Sequence, residues 1–518
     1  MLTPRRRLLC AAVAGLALSA AFEPLALPWV VPFSVAAFAL LTRGQRVRPA
    51  IVLGLVFGAT FYFTHIVWMQ AVGIPAWIAL SLLETSFYGV LGALSAVLQR
   101  HRLWPLWFAA AWTAVEIVRS GWPLGGMPWG RLAFAVVDSP VAPALPYVGA
   151  VGVTFLLALL GALLAAVARA ALTSAPVRPA ALALVGLCAL LALPVVMPWD
   201  GTERDDATAT IAVVQGDVPG RGDDILYDYR QVTQNHADAT VALAERVAAG
   251  EVPEPDFVLW PENSTATDPF DDASTNAQIT EASDAIGVPI LVGAIADGGP
   301  NQVLNQGIVW DPYTGAGERY TKRHPVPFGE YVPLRSVFLR YNFFDRLRDV
   351  GRDMLTGTRD EPLDVGGVSV ADAICFDIAY DDGLTAQISR GAELLVVQTS
   401  NATFIRTDQI DQQFAITRVR AIETGRWTAV ASTNGVSGVI APDGSVVDVA
   451  EPRTQDVLLE QVTLIDTLTP ATRIGPWSGR VAALLTVVGL LVALRGRRAR
   501  TDTEIPPTQA DPELVGAR

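Results

Sequence analysis

Three short segments of this chain carry side chains that together can transfer an acyl group. Cys375 ends the apolar run Val368-Ser-Val-Ala-Asp-Ala-Ile-Cys375-Phe-Asp, Glu262 follows Phe257–Trp260 through a proline, and Lys322 closes a run that starts at the turn Asp311-Pro-Tyr-Thr-Gly315. Each lies where a strand would end, and in open α/β sheets reacting groups gather beyond the carboxyl ends of strands. A free thiol has a pKa near about 8.5 and is only slightly ionised at neutral pH, so it needs a base or a cation beside it. Glu262 can take the thiol proton and later return it, work worth about 10²–10⁴ in rate. Lys322 can stabilise the thiolate and then the oxyanion of a tetrahedral intermediate, alongside the backbone N–H of Phe376. One well-aimed donor of that kind is worth roughly 3 kcal/mol. The covalent intermediate would be a thioester.

Each segment also has a plainer reading. A cysteine beside an apolar run is often a core residue, Trp260-Pro-Glu262 can be a simple turn, and Lys322 can be one solvated charge among several. The order, spacing and strand context of all three are more specific than any one. Other chemistries find less support. Of the three cysteines, Cys10 and Cys188 fall inside apolar runs as small buried hydrophobes, which leaves Cys375 without a partner for an intrachain disulfide. No pair among His65, His101, His236 and His324 has metal-ligand spacing, so neither metal nor cofactor is expected. A histidine-based triad would need His236 or His324, and neither has a nucleophile motif such as G-x-S-x-G to serve. The net charge of -13 comes with no basic stripe interleaved with aromatics, so nucleic acid is not an expected partner.

The elements that must position these groups alternate between α and β. Strand-length apolar runs are Thr210–Gln215, Phe257–Trp260, Pro289–Ile295, Gln306–Trp310, Val368–Ile374, Glu393–Gln398, Thr428–Ser432 and Asp456–Val462. Helical periodicity fills much of 228–248, 273–285, 379–390 and 408–424. Asp311–Gly315 and Ala441-Pro-Asp-Gly444 read as hairpin turns. A helix directly after Cys375 would make an elbow that aims the sulfur outward and frees nearby N–H groups.

Around this part the chain is membrane-like, with 51% hydrophobic and 17% charged residues and a mean hydropathy of +0.36. About seven apolar stretches of spanning length precede residue 200 (8–26, 28–42, 50–69, 76–97, 104–119, 144–168, 179–197), and an eighth lies near 479–494. Arg5–Arg7, Arg43/Arg46/Arg48, Arg100/Arg102, Arg169/Arg178 and Arg495–Arg500 fall at every second connection, which by the positive-inside rule faces the cytoplasm. The expected organisation is membrane helices over 1–200, an extracytoplasmic catalytic domain over 201–477, a last span over 478–495 and a disordered cytoplasmic tail over 496–518. A cleavable signal peptide ending near Leu18-Ser19-Ala20 competes with the first span and leaves the orientation unchanged. Glu116 and Arg119, three apart, either pair on one helix face or form a headgroup-facing site beside Gly121–Gly130.

Taken together, Trp260-Pro-Glu262, Tyr320-Thr-Lys322 with Pro327-Phe-Gly-Glu330-Tyr-Val-Pro333, and Ile374-Cys375-Phe-Asp resemble the nitrilase superfamily. Within it, Lys-x-His-x-x-Pro-Phe-Gly-Glu between several spans and a last one is similar to the apolipoprotein N-acyltransferase family. The resemblance covers nearly the whole chain. It implies a four-layer α-β-β-α sandwich on about eight spans, with Glu262 as general base, Lys322 as oxyanion stabiliser, Cys375 as nucleophile and Glu330 as a supporting glutamate. Phe376-Asp377 departs from the Tyr-Glu of many members. Ser400-Asn401-Ala402-Thr403-Phe404 lacks a tryptophan common there, and so does the stretch after Val214–Pro219.

The resemblance further implies a phospholipid acyl donor and, as acceptor, the α-amine of diacylglyceryl-cysteine at a lipoprotein N-terminus, in a bacterial cell membrane. Relatives of mycobacterial type can be fused to a polyprenol-phosphate mannosyltransferase. This chain carries no such domain, which makes that enzyme a possible separate partner. At about 0.8 kcal/mol per CH₂, drawing a chain of about 16 carbons into water would cost on the order of 12 kcal/mol, so a bilayer-sheltered path is expected. Val337–Asp345 is either a lid dipping into the interface or a helix packed on the domain. A membrane-tethered amidase or nitrilase-type hydrolase would use the same residues with water as acceptor, and a non-catalytic receptor or transporter would predict a broken triad.

Overall fold

The computed structural model describes residues 3–173, 176–201, 207–340, 348 and 350–503, with side chains described as far as residue 493. Every expected apolar stretch is helical: α1 (Pro4–Ser19), α2 (Val30–Thr42), α3 (Val47–His65), α4 (Ile74–Leu98), α5 (Trp104–Gly121), α6 (Leu145–Thr173) and α7 (Arg178–Val196). Proline opens α1, α4, α5 and α7 at positions where its missing N–H costs nothing. Among the described residues four helices are long and apolar enough to cross a membrane: α3, α4, the stretch Ala142–Thr173 containing α6, and α7. Small residues set the spacing inside the bundle. A Cβ at Gly54 would lie 2.0 Å from the Tyr88 carbonyl oxygen and one at Gly92 would lie 2.2 Å from that of Ala50, so α3 and α4 touch backbone to backbone.

The next part alternates as expected: β1 (Thr208–Gln215), α8 (Tyr229–Ala248), β2 (Phe257–Leu259), α9 (Ala273–Ile286), β3 (Ile290–Asp297), β4 (Gln302–Asp311), β5 (Gly315–Thr321), the single turn α10 (Arg335–Phe338), β6 (Asp353–Met354) and β7 (Leu363–Val365). Then come β8 (Val368–Ile374), α11 (Asp382–Ser389), β9 (Leu394–Thr399), α12 (Gln409–Thr424), β10 (Thr428–Ser432), β11 (Gly438–Ile440), β12 (Val446–Val449), β13 (Asp456–Thr463), α13 (Pro470–Ile474) and α14 (Trp477–Thr503). One sheet runs β13-β1-β2-β3-β4-β5 with β6 beside β4, and the other runs β12-β11-β10-β9-β8-β7. Asp228 and Asp272 cap α8 and α9 by accepting from Gln231 and Thr275 N–H groups.

Three apolar layers give the order of the sandwich. Ile211, Val213 and Leu259 from the first sheet meet Val370, Ile374 and Val396 from the second. Ala212, Val214, Val258 and Val292, on the first sheet's other face, pack on Leu243 of α8 and Ile279 of α9. On the far face of the second sheet, Leu384 and Ile388 of α11 and Ile416, Val419 and Ile422 of α12 join a core that continues into Phe134, Leu145 and Val153 of the membrane part. The arrangement is α-β-β-α, and one of its outer helical layers rests on the membrane helices.

That contact is polar as well as apolar. Gln412 of α12 accepts from the indole N–H groups of Trp68 (3.0 Å) and Trp129 (2.8 Å) and donates to the carbonyls of Glu23 (3.0 Å) and His65 (3.2 Å), which uses its full capacity. Arg418 makes a two-pronged pair with Asp138, at 2.6 and 3.0 Å. At Gly149 (φ 70°) α6 breaks, and the freed Ala150 N–H donates to Glu423 at 2.7 Å.

Several expectations are corrected. Glu116 and Arg119 do not pair with each other, because α5 packs on α4 and turns the guanidinium to Glu84 at 3.5 Å and to the carbonyls of Met127 and Trp129, both at 2.8 Å. Glu116 is buried and accepts from Trp112, Leu132 N–H and Thr154, so no headgroup reaches it. Cys10 and Cys188 are exposed on α1 and α7 and do not enter the protein core. Helix α14 continues past residue 495 to Thr503, and residues 504–518 of the expected tail lie outside the described residues. The expected lid over 337–345 is described only to residue 340, with 341–347 outside.

Candidate active site

Cys375 stands one residue past β8, but no α-helix begins there. The turn Cys375–Ala379 is a short 3-10 helix, and α11 starts only at Asp382. Cys375 itself has φ 51°, a left-handed conformation rare outside glycine and asparagine. Such strain persists only where the surroundings impose it, and it clusters at reacting residues. The first N–H groups of a helical turn have no intrahelical acceptor, so that of Phe376 can face a developing oxyanion.

Glu262 and Lys322 arrive from the other sheet. Lys322 follows β5 and is fully buried, so the reading of a solvated charge does not hold. Its Nζ donates to Glu262 Oε1 at 3.0 Å and to Glu330 Oε1 at 2.6 Å. Glu262 also accepts from Asn305 Nδ2 at 2.7 Å and from Ser400 N–H at 3.0 Å. Glu330 accepts from Val326 N–H at 2.8 Å. A single buried ammonium is therefore shared by two carboxylates, in the strand-end layer where Cys375 lies.

The electrostatics follow from that sharing. Burial works against the Lys322 charge, yet Glu262 and Glu330 outweigh it and hold the ammonium well above its ordinary pKa. Burial pushes the Glu330 carboxyl up, with Lys322 pulling the other way. Burial also pushes the Cys375 thiol up to about 12, Glu262 adds to the rise, and Lys322 and a hydrogen bond from Thr399 oppose it. The resting thiol is neutral, and reaction requires that its proton leave as the bond to carbon forms.

Residues outside the expected set hold these groups. Asp377 accepts from the Tyr320 hydroxyl (2.9 Å) and from the N–H groups of Arg323 (3.1 Å) and His324 (2.8 Å), so the turn after the nucleophile grips the segment after Lys322. Arg420 of α12 donates to the carbonyls of Ile378 and Ala379, both at 2.9 Å, and pairs with Asp381 at 2.7 Å. Asp381 also pairs with Arg131 at 2.8 Å, and the Tyr380 hydroxyl reaches the Gly126 carbonyl at 2.9 Å. The Phe376 ring stacks on Trp129, with centroids 6.1 Å apart. The membrane part thus touches the nucleophile turn directly. Asn305 sits inside an apolar strand run and carries no sequence signal. Asp377 was visible only as a departure from the Tyr-Glu pair.

The histidines are placed elsewhere. His236 is buried in α8, bonded to the Val232 carbonyl at 2.7 Å and to Gly216 N–H at 3.2 Å, and burial pushes it down to about 4. His324 stacks on Tyr380 with centroids 3.7 Å apart and meets Asp382 at 2.8 Å. No group of three or more potential metal ligands occurs among the described residues.

Residues 14–163 match the apolipoprotein N-acyltransferase N-terminal domain and residues 210–468 match the carbon-nitrogen hydrolase domain. The chain is 36% identical over 502 residues to an apolipoprotein N-acyltransferase of Mycolicibacterium smegmatis, covering 93% of this chain and 84% of the relative. It is 29% identical over 494 residues to the protein of that name from Chromobacterium violaceum, covering 90% of each. To that from Ralstonia nicotianae it is 29% identical over 511 residues, covering 95% of this chain and 93% of the relative.

Proposed function

The chain belongs to the apolipoprotein N-acyltransferase family, and from that premise we propose that it moves a fatty acyl chain from a membrane phospholipid to the α-amine of diacylglyceryl-cysteine at a lipoprotein N-terminus, through a thioester on Cys375. The observation that carries the reading is the buried Glu262–Lys322–Glu330 cluster in the strand-end layer beside a cysteine held at φ 51°.

In the first half-reaction Glu262 takes the thiol proton as Sγ attacks the ester carbonyl. Lys322 Nζ and the Phe376 N–H hold the oxyanion. The intermediate collapses by breaking the bond to the glycerol oxygen, which leaves as lysophospholipid with the proton from Glu262. In the second, the lipoprotein amine attacks the thioester carbonyl and loses a proton to Glu262. The C–S bond breaks and the thiolate recovers the proton. Glu330 keeps Lys322 in place and charged. The four helices long and apolar enough to cross a membrane, the shorter apolar helices Val30–Thr42 and Trp477–Ala493, and the alternation of arginine-rich connections support a multi-span reading of eight spans, with the catalytic domain on the extracytoplasmic side.

Incubation with phospholipid labelled in its acyl chain, followed by electrophoresis without reductant, tests this reading. A labelled, hydroxylamine-sensitive band should form, vanish in Cys375→Ala, and be discharged by a diacylglyceryl-cysteine peptide. Equal discharge by water alone would identify a hydrolase instead.

A further inference from the structure

We propose that Asp372 is a positioning residue that works as an un-ionised carboxylic acid, its proton given to Gln398 Oε1 so that the Gln398 amide holds the Trp260 carbonyl, two residues before Glu262. The proposal rests on Glu262 being the base. Asp372 lies on β8, three residues before Cys375. Strand alternation turns its side chain the same way as Val370 and Ile374, into the layer between the two sheets. It is fully buried, and neither carboxyl oxygen has a hydrogen-bond partner. Its backbone is satisfied separately: its N–H donates to Gln387 Oε1 at 3.0 Å and its carbonyl accepts from Gln387 Nε2 at 2.9 Å.

The surroundings of Gln398 supply the geometry. Gln398 is fully buried on β9, and its Nε2 donates to the Trp260 carbonyl at 2.6 Å and to that of Leu291 at 3.3 Å. The pairing of β2 with β3 ends at Leu259, so this amide takes over where the ladder stops. Turning the amide round would set Oε1 against two carbonyl oxygens, which fixes its orientation. Oε1 is then left without a donor. Across the sandwich, Gly307 of β4 makes room for both groups. A Cβ there would lie 2.2 Å from Asp372 Oδ2 and 2.6 Å from Gln398 Oε1. Two buried acceptor oxygens thus converge on one point above a glycine, with no donor between them. A proton on the carboxyl turns one of them into a donor, whereas an anion there would be stranded.

The charges around Asp372 act in the same direction. Burial pushes its carboxyl well above the usual carboxylate range, and Asp377 and then Glu262 add to the rise. Tyr320 of β5 also faces it, but that hydroxyl donates to Asp377 at 2.9 Å. No cation pairs with Asp372 among the described residues, and Lys322 is held by Glu262 and Glu330. An ionised Asp372 would add negative charge near a sulfur that Glu262 already holds protonated. The neutral acid provides a donor without that charge.

The test uses the full-length enzyme as wild type, Asp372→Asn and Asp372→Leu. Infrared difference spectra of wild type against Asp372→Asn are taken near neutral pH in a maltoside detergent, which has no ester carbonyl to mask the acid band. The carbonyl stretch of an un-ionised carboxylic acid should appear, and a carboxylate band in its place would overturn the proposal. Acyl-band formation from labelled phospholipid is the second readout. Asparagine keeps a donor for Gln398 Oε1, so Asp372→Asn should acylate within about threefold of wild type. Leucine keeps the bulk and loses the donor, and the displaced Glu262 should slow acylation roughly 10–100-fold. An Asp372→Asn enzyme slowed more than about tenfold, or an Asp372→Leu enzyme acylating at the wild-type rate, would also overturn the proposal. Should Asp372→Leu fail to fold, the infrared band and the asparagine variant decide. A Glu262→Gln enzyme that acylates at the wild-type rate is a separate outcome: it removes the base assignment, and the positioning role with it, while the acid band stays.

Discussion

Replacing Lys322 by methionine keeps the length of the side chain and removes the cation shared by Glu262 and Glu330. Breaking a buried ion pair from one side costs about 3–5 kcal/mol, because the remaining charge is stranded. Here each carboxylate keeps other donors: Glu262 retains Asn305 Nδ2 at 2.7 Å and Ser400 N–H at 3.0 Å, and Glu330 retains Val326 N–H at 2.8 Å. That places the loss at the low end, about 3 kcal/mol, or a fall of about 6–12 °C in the unfolding midpoint for a domain of this size. Adding Glu330→Gln removes one stranded charge and should return about half of that loss. Catalysis should not return with it, since the missing oxyanion donor is worth about 10²–10³ in acylation rate. Thermal unfolding in detergent, read beside acyl-band kinetics, separates the two effects. A double variant less stable than Lys322→Met, or a Lys322→Met enzyme that acylates within about tenfold of wild type, would refute the reasoning.

Three further outcomes are expected. Burial acts to raise the Asp381 carboxyl, but Arg131 and Arg420 outweigh it and hold the group well below the usual carboxylate range. Its stabilisation is therefore complete above about pH 4 and is lost as pH falls through the depressed value; Asp381→Asn should flatten that acid-side slope in midpoints measured from pH 3 to 7. Gln412→Ala strands the indole N–H groups of Trp68 and Trp129, and should cost about 2–4 kcal/mol and shift tryptophan fluorescence as the catalytic domain loosens from the membrane part. Glu116→Gln keeps an acceptor for Trp112 and Leu132 N–H and turns an amide donor to Thr154, so stability should stay within about 1 kcal/mol while Glu116→Ala falls further, both read by thermal unfolding.

The parts of the fold that sequence makes legible are those where one residue type dominates a short run. β8 and β10 appear at their expected bounds, and Glu262, Lys322 and Cys375 each lie within three residues of a strand end because chemistry collects there. The left-handed backbone at Cys375 leaves no trace in composition, since the residue types that tolerate it freely are absent from that position. Glu116 and Arg119 show why spacing alone misleads: a three-residue interval permits a pair, but Arg119 follows what the neighbouring helix presents. Helix α12 was legible as a helix, yet nothing in the sequence marked its polar residues Gln409, Gln412, Gln413 and Arg420 as buried, which they all are. Gln412 and Arg420 find carbonyls, indoles and a carboxylate in segments far away in sequence, which no local pattern encodes.

That burial leaves Asp411 as the only exposed residue of α12. Its apolar residues close the second sheet, and its buried polar residues meet the nucleophile turn, the end of β9 at Thr399 or the loops of the membrane part. The helix is therefore a shared wall, owned by neither half of the molecule. Cut away from the membrane part, residues 207–469 would expose that wall and release Arg131 and Trp129 from the turn that carries the sulfur. A chimera that exchanges membrane parts between relatives would have to carry the matching α12 residues with it, because the join runs through this helix and not through the linkers at either end.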